Sequence, residues 1–463
     1  MFRDASAELI DNAPALRYGI AVTDIDGDGK FEAVVAGHDG PNQVLKWTGK
    51  GFEDIADRTI ADAERQAIGV AAGDIDGDGR EEIYVLNADS DSGPKEQGDR
   101  LFACFGSAGA AGPWLDLFQI PDNRAATNQI AGRSVAVVDR LGSGRYGFVV
   151  ANHGGPFRLF ELTEGKLVDH AAVAGIDRVT GGRGLVAGPI VSPRMDIFAV
   201  NENGPNFLFV NRGDGSFSEE AERRGLADAE EHGRGVTALD LDGDGRLDLV
   251  YGNWEGPHRL FLQDANGRFK DTAPAPLAQP SRVRTVLAAD FDNDGVAELF
   301  FNNIGQANRL FKPLDGGWVQ IPTGAAEEAR GLGTGAAVGD FDDDGRLELL
   351  IAHGESRTQR QRLSLFRPLA AAANFLRVMP LTRYGAPARG ALVRLEAGET
   401  VQVRLIDAGS GYLCQMEPVA HFGLGPFRTV DRLTVRWPDG AFAVIERPQA
   451  NQRIVVRHPA AVG

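Results

Sequence analysis

A short acidic motif recurs along this chain at a fixed interval, and the repeat constrains the fold more than any other feature. The motif reads D-x-D-x-D-G-x-x-[DE], and successive copies lie 50 residues apart where they are adjacent. Five full copies begin at Asp24, Asp74, Asp240, Asp290 and Asp340. Two degenerate copies, DRLGSGRYGFVV from Asp139 and PIVSPRMDIFAV from Pro189, fill the gap between the second and third. Seven units of similar length therefore follow one another.

Each unit contains four short β-like runs separated by turns. One unit reads RGVTALD, LDLVYGN, HRLFLQD and RFKDTA around its acidic loop. Four strands in about 50 residues is the pattern of a propeller blade. The sequence therefore predicts an all-β fold, a seven-bladed β-propeller over residues 1–370. The second unit has extra residues around Asp89 to Gly112, which we expect to form a long surface loop.

The two ends of the repeat region complement each other. The last unit shows RLSLFRP but no following F-x-D-x-A strand, and the chain opens with Met1-Phe2-Arg3-Asp4-Ala5-Ser6, which fits that strand. We expect the N-terminal strand to complete the seventh blade and leave no open sheet edge. After Pro368, an Ala-rich linker (370–373) precedes residues 371–463, whose alternating apolar positions predict a small β-sandwich-like domain.

The acidic loops have the donor spacing of a calcium site. Side-chain oxygens at positions 1, 3, 5 and 9, with the backbone carbonyl at position 7, can surround a hard cation. A solvated acidic turn is the alternative, but four acids within nine residues repel one another. An EF-hand would need Glu at position 12 and flanking helices, whereas position 12 is Val35, Val85, Tyr251, Phe301 or Ile351. We therefore predict five bound Ca²⁺ ions.

The predicted calcium ligands are Asp24, Asp26, Asp28, Lys30 and Glu32; Asp74, Asp76, Asp78, Arg80 and Glu82; Asp240, Asp242, Asp244, Arg246 and Asp248; Asp290, Asp292, Asp294, Val296 and Glu298; and Asp340, Asp342, Asp344, Arg346 and Glu348. The residue at position 7 of each loop contributes its backbone carbonyl. The units at Asp139 and Pro189 lack this set, so we expect them to bind no metal.

Composition excludes several classes of protein. The formal net charge of -17 argues against recognition of nucleic-acid phosphates. No apolar stretch is long enough to span a membrane, and the first residues lack the basic and apolar regions of an export signal. Cys104 and Cys414 are too few for a disulfide scaffold, so we expect buried thiols.

Alignment of the units reveals a set of arginines at one equivalent place. Six residues before the loop, four successive units carry Arg133, Arg183, Arg234 and Arg284, and Asn152 and Asn253 occupy the position thirteen residues after it. Both positions lie at the rim opposite the calcium loops, around the mouth of the central channel. Either these arginines pair with acids such as Glu202, or they form a site for an anion.

No G-x-S-x-G, P-loop or Rossmann fingerprint appears, and the eight histidines form no H-x-x-x-H or similar ligand pair. Residues Ser410-Gly411-Tyr412, His421-Phe422-Gly423-Leu424-Gly425 and Val435-Arg436-Trp437-Pro438-Asp439-Gly440 resemble an ASPIC/UnbV domain, and the acidic units resemble FG-GAP/VCBS repeats. The chain is thus similar to bacterial members of the cartilage acidic protein family. His421 matches the HFGLG histidine of that domain and is either a packed turn residue or a ligand contact.

The resemblance implies an extracellular or periplasmic calcium-binding protein, and it specifies no activity. Two functions are consistent with the sequence. The first is a non-catalytic module that binds a protein, an acidic glycan or a small anion at the arginine rim. The second is an enzyme, a lyase or oxidoreductase acting on a sugar or a small acid. A rim pocket with a perturbed His or Tyr favours the enzyme, and a shallow rim favours binding.

Overall fold

The computed structural model describes residues 1–106, 112–314, 316–369 and 373–461. Within them the regular structure is mostly β-strand, beginning with β1 (Phe2–Asp4). The next three four-stranded units are β2 (Arg17–Thr23), β3 (Glu32–Gly37), β4 (Gln43–Trp47) and β5 (Phe52–Asp54); β6 (Ala67–Gly73), β7 (Glu82–Asn87), β8 (Arg100–Cys104) and β9 (Trp114–Asp116); and β10 (Gly132–Val138), β11 (Gly147–Pro156), β12 (Arg158–Thr163) and β13 (Lys166–Asp169).

The remaining units of the repeat region follow the same plan. They are β14 (Val179–Gly188), β15 (Asp196–Asn201), β16 (Phe207–Asn211) and β17 (Phe217–Glu219); β18 (Gly233–Leu239), β19 (Asp248–Asn253), β20 (Arg259–Gln263) and β21 (Phe269–Asp271); β22 (Val283–Ala289), β23 (Glu298–Asn303), β24 (Arg309–Leu314) and β25 (Gly317–Ile321); and β26 (Gly333–Gly339), β27 (Glu348–His353) and β28 (Ser364–Pro368).

Short helical turns connect some of these strands. They are α1 (Arg58–Ala61), α2 (Ala171–Ala174), α3 (Ala221–Arg224) and α4 (Ala275–Ala278), with 3₁₀ turns at Ser6–Glu8, Leu117–Gln119, Pro121–Ala126 and Ala325–Glu327. None of the helices in the described ranges is long and apolar enough to cross a membrane.

The units form a closed ring around their first strands. β2 contacts β6, and the contacts continue through β10, β14, β18 and β22 to β26, which contacts β2 again. Units three and four are further joined because β11 pairs with β14. Apolar side chains from neighbouring units pack together, as Val22 and Ala33 do with Leu350. This arrangement is a β-propeller, and the predicted all-β propeller fold is confirmed.

The N-terminal strand closes the last unit, as predicted. β1 pairs antiparallel with β28, with Phe2 opposite Pro368 and Asp4 opposite Phe366. Phe2 is buried, and its ring meets that of Phe291 edge-on at 4.8 Å between centroids. The strand is therefore an integral part of the ring.

The expected surface loop from Asp89 to Gly112 is only partly a loop. Its middle forms β8, the third strand of unit two, and additional residues lie both before that strand and between it and β9. There Lys95 and Asp99 form a buried ion pair, which anchors the insertion. Residues 107–111 lie outside the described ranges. The Gly-, Ser- and Asp-rich residues that flank Leu101 and Phe102 thus led us to expect a loop where β8 lies.

The C-terminal strands are β29 (Asn374–Pro380), β30 (Leu392–Ala397), β31 (Thr400–Leu405), β32 (Ala420–Gly425), β33 (Arg432–Arg436), β34 (Phe442–Glu446) and β35 (Arg453–Val456). They form a three-stranded sheet, β32-β29-β35, and a four-stranded sheet, β31-β30-β33-β34. One apolar core containing Phe422, Leu433 and Trp437 lies between them. The predicted sandwich-like arrangement is therefore present, although linker residues 370–372 fall outside the described part of the chain.

Candidate functional site

The five acidic loops share one hydrogen-bonding pattern. The first Asp accepts a hydrogen bond from the N–H of the Gly five residues later, at 2.8 Å for Asp24 and 3.1 Å for Asp74. The corresponding bonds of Asp240, Asp290 and Asp340 are present as well. The acid at position 9 accepts from the N–H at position 2, at 2.9 Å from Ile25 to Glu32. These bonds pre-form the loop and direct the remaining carboxylate oxygens inward.

In each loop, oxygens of three acids lie within 4.8 Å of one another. These groups are Asp24, Asp26 and Glu32; Asp74, Asp76 and Asp78; Asp240, Asp242 and Asp248; Asp290, Asp292 and Asp294; and Asp340, Asp342 and Asp344. Such groups can bind metal ions, and an all-oxygen set suits a hard cation such as Ca²⁺. The buried Asp24 Oδ1 has no hydrogen-bond partner, as expected for an oxygen that faces a cation.

Burial and mutual repulsion make the carboxylates costly to ionise without a cation. Burial raises the pKa of Glu32 to about 8, and the neighbouring Asp26 adds to the increase. Burial likewise raises the pKa of Asp74 to about 7, with a contribution from Asp76. A divalent cation would reverse both effects because it stabilises the ionised form.

Three of the five loops contain a cationic side chain from the third strand of the unit, a feature that sequence reasoning missed. Lys46 Nζ lies 2.7 Å from Asp28 Oδ2 and also contacts Asp26. Lys312 Nζ lies 2.6 Å from Glu298 Oε1 and 2.7 Å from Asp292 Oδ2.

In the third of these loops, Arg367 Nη1 lies 2.7 Å from both Asp342 Oδ2 and Glu348 Oε1. Strand register places Ala103 and Leu262 at the equivalent positions of the other two units. The loops beginning at Asp74 and Asp240 therefore receive no cation from this position. A Lys or Arg at one fixed place of the third strand was the available sequence signal.

The C-terminal domain packs against the acidic loops. Arg377 Nη1 lies 2.9 Å from Asp340 Oδ2, and Gly423 donates its N–H to Asp290 Oδ2 at 3.0 Å. His421 Nε2 lies 2.6 Å from Asn293 Oδ1, and its ring stacks on Phe375. Burial lowers the pKa of His421 well below its usual value. His421 therefore packs beside the acidic loops and away from the four arginines, and its contact with a ligand stays a prediction.

A loop of the C-terminal domain, residues 407–417, passes through the ring. Its carbonyl groups at Ala408, Gly411 and Leu413 accept hydrogen bonds from Val137, Val236 and Val70, which lie on the first strands β10, β18 and β6. The approach is close: a Cβ atom added to Gly19 would lie 2.3 Å from the Leu413 carbonyl oxygen. Only glycine leaves room there, so β2 is adapted to this loop. We call residues 407–417 the channel loop.

The channel loop brings Tyr412 to the four predicted arginines. Each Arg lies where the pairing of the first strand shifts register, between Gly132 and Ser134 for Arg133 and between Gly233 and Val236 for Arg234. The same irregularity occurs around Arg183 and Arg284. Such bulges redirect a side chain out of the sheet. We call these four arginines with Tyr412 the arginine rim.

A cavity of about 540 Å³ opens at the arginine rim. Its lining includes Arg133, Arg183, Arg284, Tyr412 and His153. Burial and, after it, the nearby guanidiniums lower the pKa of His153 to about 4. Burial would raise the pKa of Tyr412, but the four arginines outweigh it and lower that pKa to about 7. The part of the cavity around Tyr412 is therefore positively charged, while Asp89, Asp91 and Glu355 also belong to the lining.

The arginines differ in their counter-charges. Glu202 contacts Arg183 and also lies 2.5 Å from Arg234 Nη2, so the expected pairing with this acid is present. None of the ion pairs among the described residues includes Arg284, whereas Arg282, two positions earlier, pairs with Glu255. Its guanidinium lies 4.7 Å from the Trp254 ring centroid and 6.0 Å from that of Tyr412. Its buried Nε also has no hydrogen-bond partner.

The two predicted asparagines do not join the arginines. Both are fully buried. Asn152 donates its side-chain N–H to the Pro156 carbonyl, and Asn253 donates to the Pro257 carbonyl, each at 2.7 Å. Because these amides close the turns that follow their own strands, the binding role predicted for them is not supported by their geometry.

Comparisons with known proteins match both parts of the chain. The ASPIC and UnbV family model matches residues 382–463, and the FG-GAP-like repeat model matches residues 24–85, 193–251 and 240–301. The chain is 49% identical over 469 residues to Cartilage acidic protein 1 of Xenopus tropicalis, covering 93% of this chain and 71% of that protein. Identity to the Homo sapiens protein of the same name is 48%, covering 93% and 70%.

The BP39L lectin from Burkholderia pseudomallei aligns with a TM-score of 0.49 at 15% identity, covering 73% of this chain and 93% of the lectin.

Proposed function

Because the chain belongs to the cartilage acidic protein family, we propose that it is an extracellular or periplasmic calcium-binding interaction module. Its five acidic loops bind Ca²⁺ through the twenty-five residues predicted from the sequence, and its arginine rim binds an anionic group of a protein or acidic glycan. The propeller comprises residues 1–370, and the ASPIC and UnbV domain comprises residues 371–463.

Arg284 is the observation that supports binding at the rim. A half-buried guanidinium without a carboxylate partner is costly, because water is removed from it and little replaces that water. Trp254 and Tyr412 offer it aromatic faces and leave Nε available. A carboxylate or sulfate group in the adjoining cavity would supply the missing charge and accept hydrogen bonds.

Arg284 can be tested against a neighbour with the same charge. Sodium sulfate is titrated calorimetrically into the full chain in excess calcium, at constant ionic strength. Arg284→Met should weaken binding about tenfold to about a hundredfold, because a charge-assisted hydrogen bond contributes roughly 1.5 to 3 kcal/mol. Arg282→Met is the matched control, since Arg282 pairs with Glu255 at the exposed surface. Absence of sulfate binding by the unmodified chain, or equal binding by both variants, would contradict the proposal.

The same cavity gives the enzyme alternative a specific basis. Tyr412 and His153 face it beside the arginines, and both have strongly lowered pKa values. In an elimination on a uronic acid glycan, an arginine would neutralise the carboxylate while the Tyr412 phenolate takes the α-proton. The bond from the β-carbon to the glycosidic oxygen would break as the double bond forms, and the resulting phenol would return the proton to that oxygen. Release of unsaturated uronate from such glycans, lost in Tyr412→Phe, would favour this alternative. No release by the calcium-loaded chain would favour the binding module.

A further inference from the structure

The four arginines are the charged groups that act most strongly on Tyr412. Glu202 contacts two of the four arginines, and the acid nearest to Arg133 is Asp91, whose exposed carboxylate lies 3.9 Å away. Solvent weakens that last pair, and Arg284 adds a further charge. Tyr412 Oη lies 3.4 Å from Arg183 Nη1, and the Tyr412 side chain is buried. The channel loop therefore places an ionisable hydroxyl where an anion is most strongly favoured.

We propose that Tyr412 is the built-in anion of the arginine rim, its phenolate balancing the guanidiniums until an oxyanion ligand replaces it and Tyr412 becomes protonated. The inference rests on the proposed anion site and adds a component from the other domain. The exchange is balanced: the ligand brings negative charge, solvent supplies one proton, and the phenolate becomes a neutral phenol. The phenol can then donate a hydrogen bond to the bound oxyanion.

The surroundings of Tyr412 support this exchange. The charged and titratable groups of the cavity and rim are Arg133, Arg183, Arg234, Arg284, Glu202, Tyr18, His38, His153, Asp89, Asp91 and Glu355. Burial raises the pKa of Tyr18 and lowers that of His38. The pKa of His153 is likewise lowered, to about 4, so this side chain is neutral near pH 7. Tyr412, with a pKa of about 7, changes charge in that range.

The exchange gives a defined pH dependence. Below the pKa of Tyr412 the phenol is already neutral and the ligand meets unbalanced arginines, so affinity is highest there. Above that pKa the ligand must bind together with a proton. Affinity should therefore fall about tenfold for each pH unit above it.

Sulfate binding to the calcium-loaded full chain is measured about one unit below and about one unit above pH 7, at constant ionic strength. The near-ultraviolet absorbance of tyrosinate is recorded in the same titrations. We expect a tyrosinate signal at the higher pH that disappears as sulfate binds, and weaker binding at that pH. Tyr412→Phe should lack both the signal and the pH dependence. Tyr384→Phe removes the hydroxyl of a ring that lies under the Arg145 guanidinium, outside the arginine rim, and this variant should behave as the unmodified chain.

The outcomes separate this inference from the proposed function. Sulfate binding with no tyrosinate signal, or with a pH dependence that survives in Tyr412→Phe, overturns the role of Tyr412 and keeps the anion site. Absence of sulfate binding at both pH values defeats the anion site and this inference together. Calcium-dependent melting of each variant verifies folding. Arg284→Met provides a second perturbation: because it removes one of the arginines that lower the pKa of Tyr412, it should raise the pH at which tyrosinate appears.

Discussion

Arg389 donates two hydrogen bonds to the carboxylate of Glu81, at 2.5 Å and 3.1 Å, and both side chains are buried. The same guanidinium donates to the carbonyl oxygens of Asp407 and Met416, near the two ends of the channel loop. It also bonds the Val22 carbonyl on β2. One arginine thus joins the C-terminal domain, the base of the channel loop and two units of the ring.

Replacement of Arg389 should destabilise the whole chain. Arg389→Met leaves Glu81 buried without its cation, so we expect a loss of about 3 to 5 kcal/mol in the free energy of unfolding. Urea denaturation measures this loss. Arg394→Met removes an exposed pair with Glu396 and should cost less than about 1 kcal/mol. Equal effects of the two variants would show that the buried pair does not hold the domains together.

Removal of calcium should lower the melting temperature markedly, since each loop then confines several carboxylates without a cation. The five loops should not contribute equally. Lys46, Lys312 and Arg367 partly replace the metal in three of them, whereas Ala103 and Leu262 cannot. The loops beginning at Asp74 and Asp240 should therefore depend most on calcium.

Paired variants test this ranking. Asp242→Asn should reduce calcium stabilisation more than Asp292→Asn, because Lys312 remains in the loop that begins at Asp290. Ser143→Ala, in the degenerate loop that begins at Asp139, should change the melting temperature little. The measurements are melting curves with calcium and with excess chelator, accompanied by metal analysis. An unchanged melt in chelator, with no metal retained, would contradict a structural role for calcium.

The repeat predicted much of the fold because each unit carries the same short-range signals. Acidic loops fix where one strand ends and the next begins, and the N-terminal strand was identifiable because one unit lacked its fourth run. The arginines were found by position alone. Position did not reveal side-chain direction for Asn152 and Asn253, whose amides bond carbonyls four residues further on. Local bonds of this kind compete with any outward role.

The channel loop could not be predicted from the repeat. It follows the last unit, has no counterpart within it, and contacts residues hundreds of positions earlier, as in the hydrogen bond from Val22 to Gln415. No local pattern encodes such a contact. The position of the channel loop nevertheless matters for the site, because Tyr412 reaches the four arginines only through this loop.

Deletion of residues 1–8 should destabilise the entire ring. β1 pairs with β28, and Glu8 lies 3.0 Å from Arg367, which also bonds Asp342 and Glu348. Thermal melting of the truncated chain should show one transition at a lower temperature. Phe2→Ala is a milder version. We expect it to lower the free energy of unfolding by about 3 to 5 kcal/mol, because the phenyl group of Phe2 is buried. A truncated chain that melts like the intact one would refute closure by this strand.

Cys414 should report whether the channel loop occupies the ring. Burial raises the pKa of its thiol to about 12, and the side chain lies inside the ring near Tyr412. In a Cys104→Ser background, the native protein should therefore resist iodoacetamide at neutral pH, because the reactive thiolate is scarce and inaccessible. Arg389→Met should increase the labelling rate under conditions where circular dichroism still shows a folded propeller. Rapid labelling of the unmodified folded protein, at the rate of a free thiol, would mean that the loop leaves the ring readily.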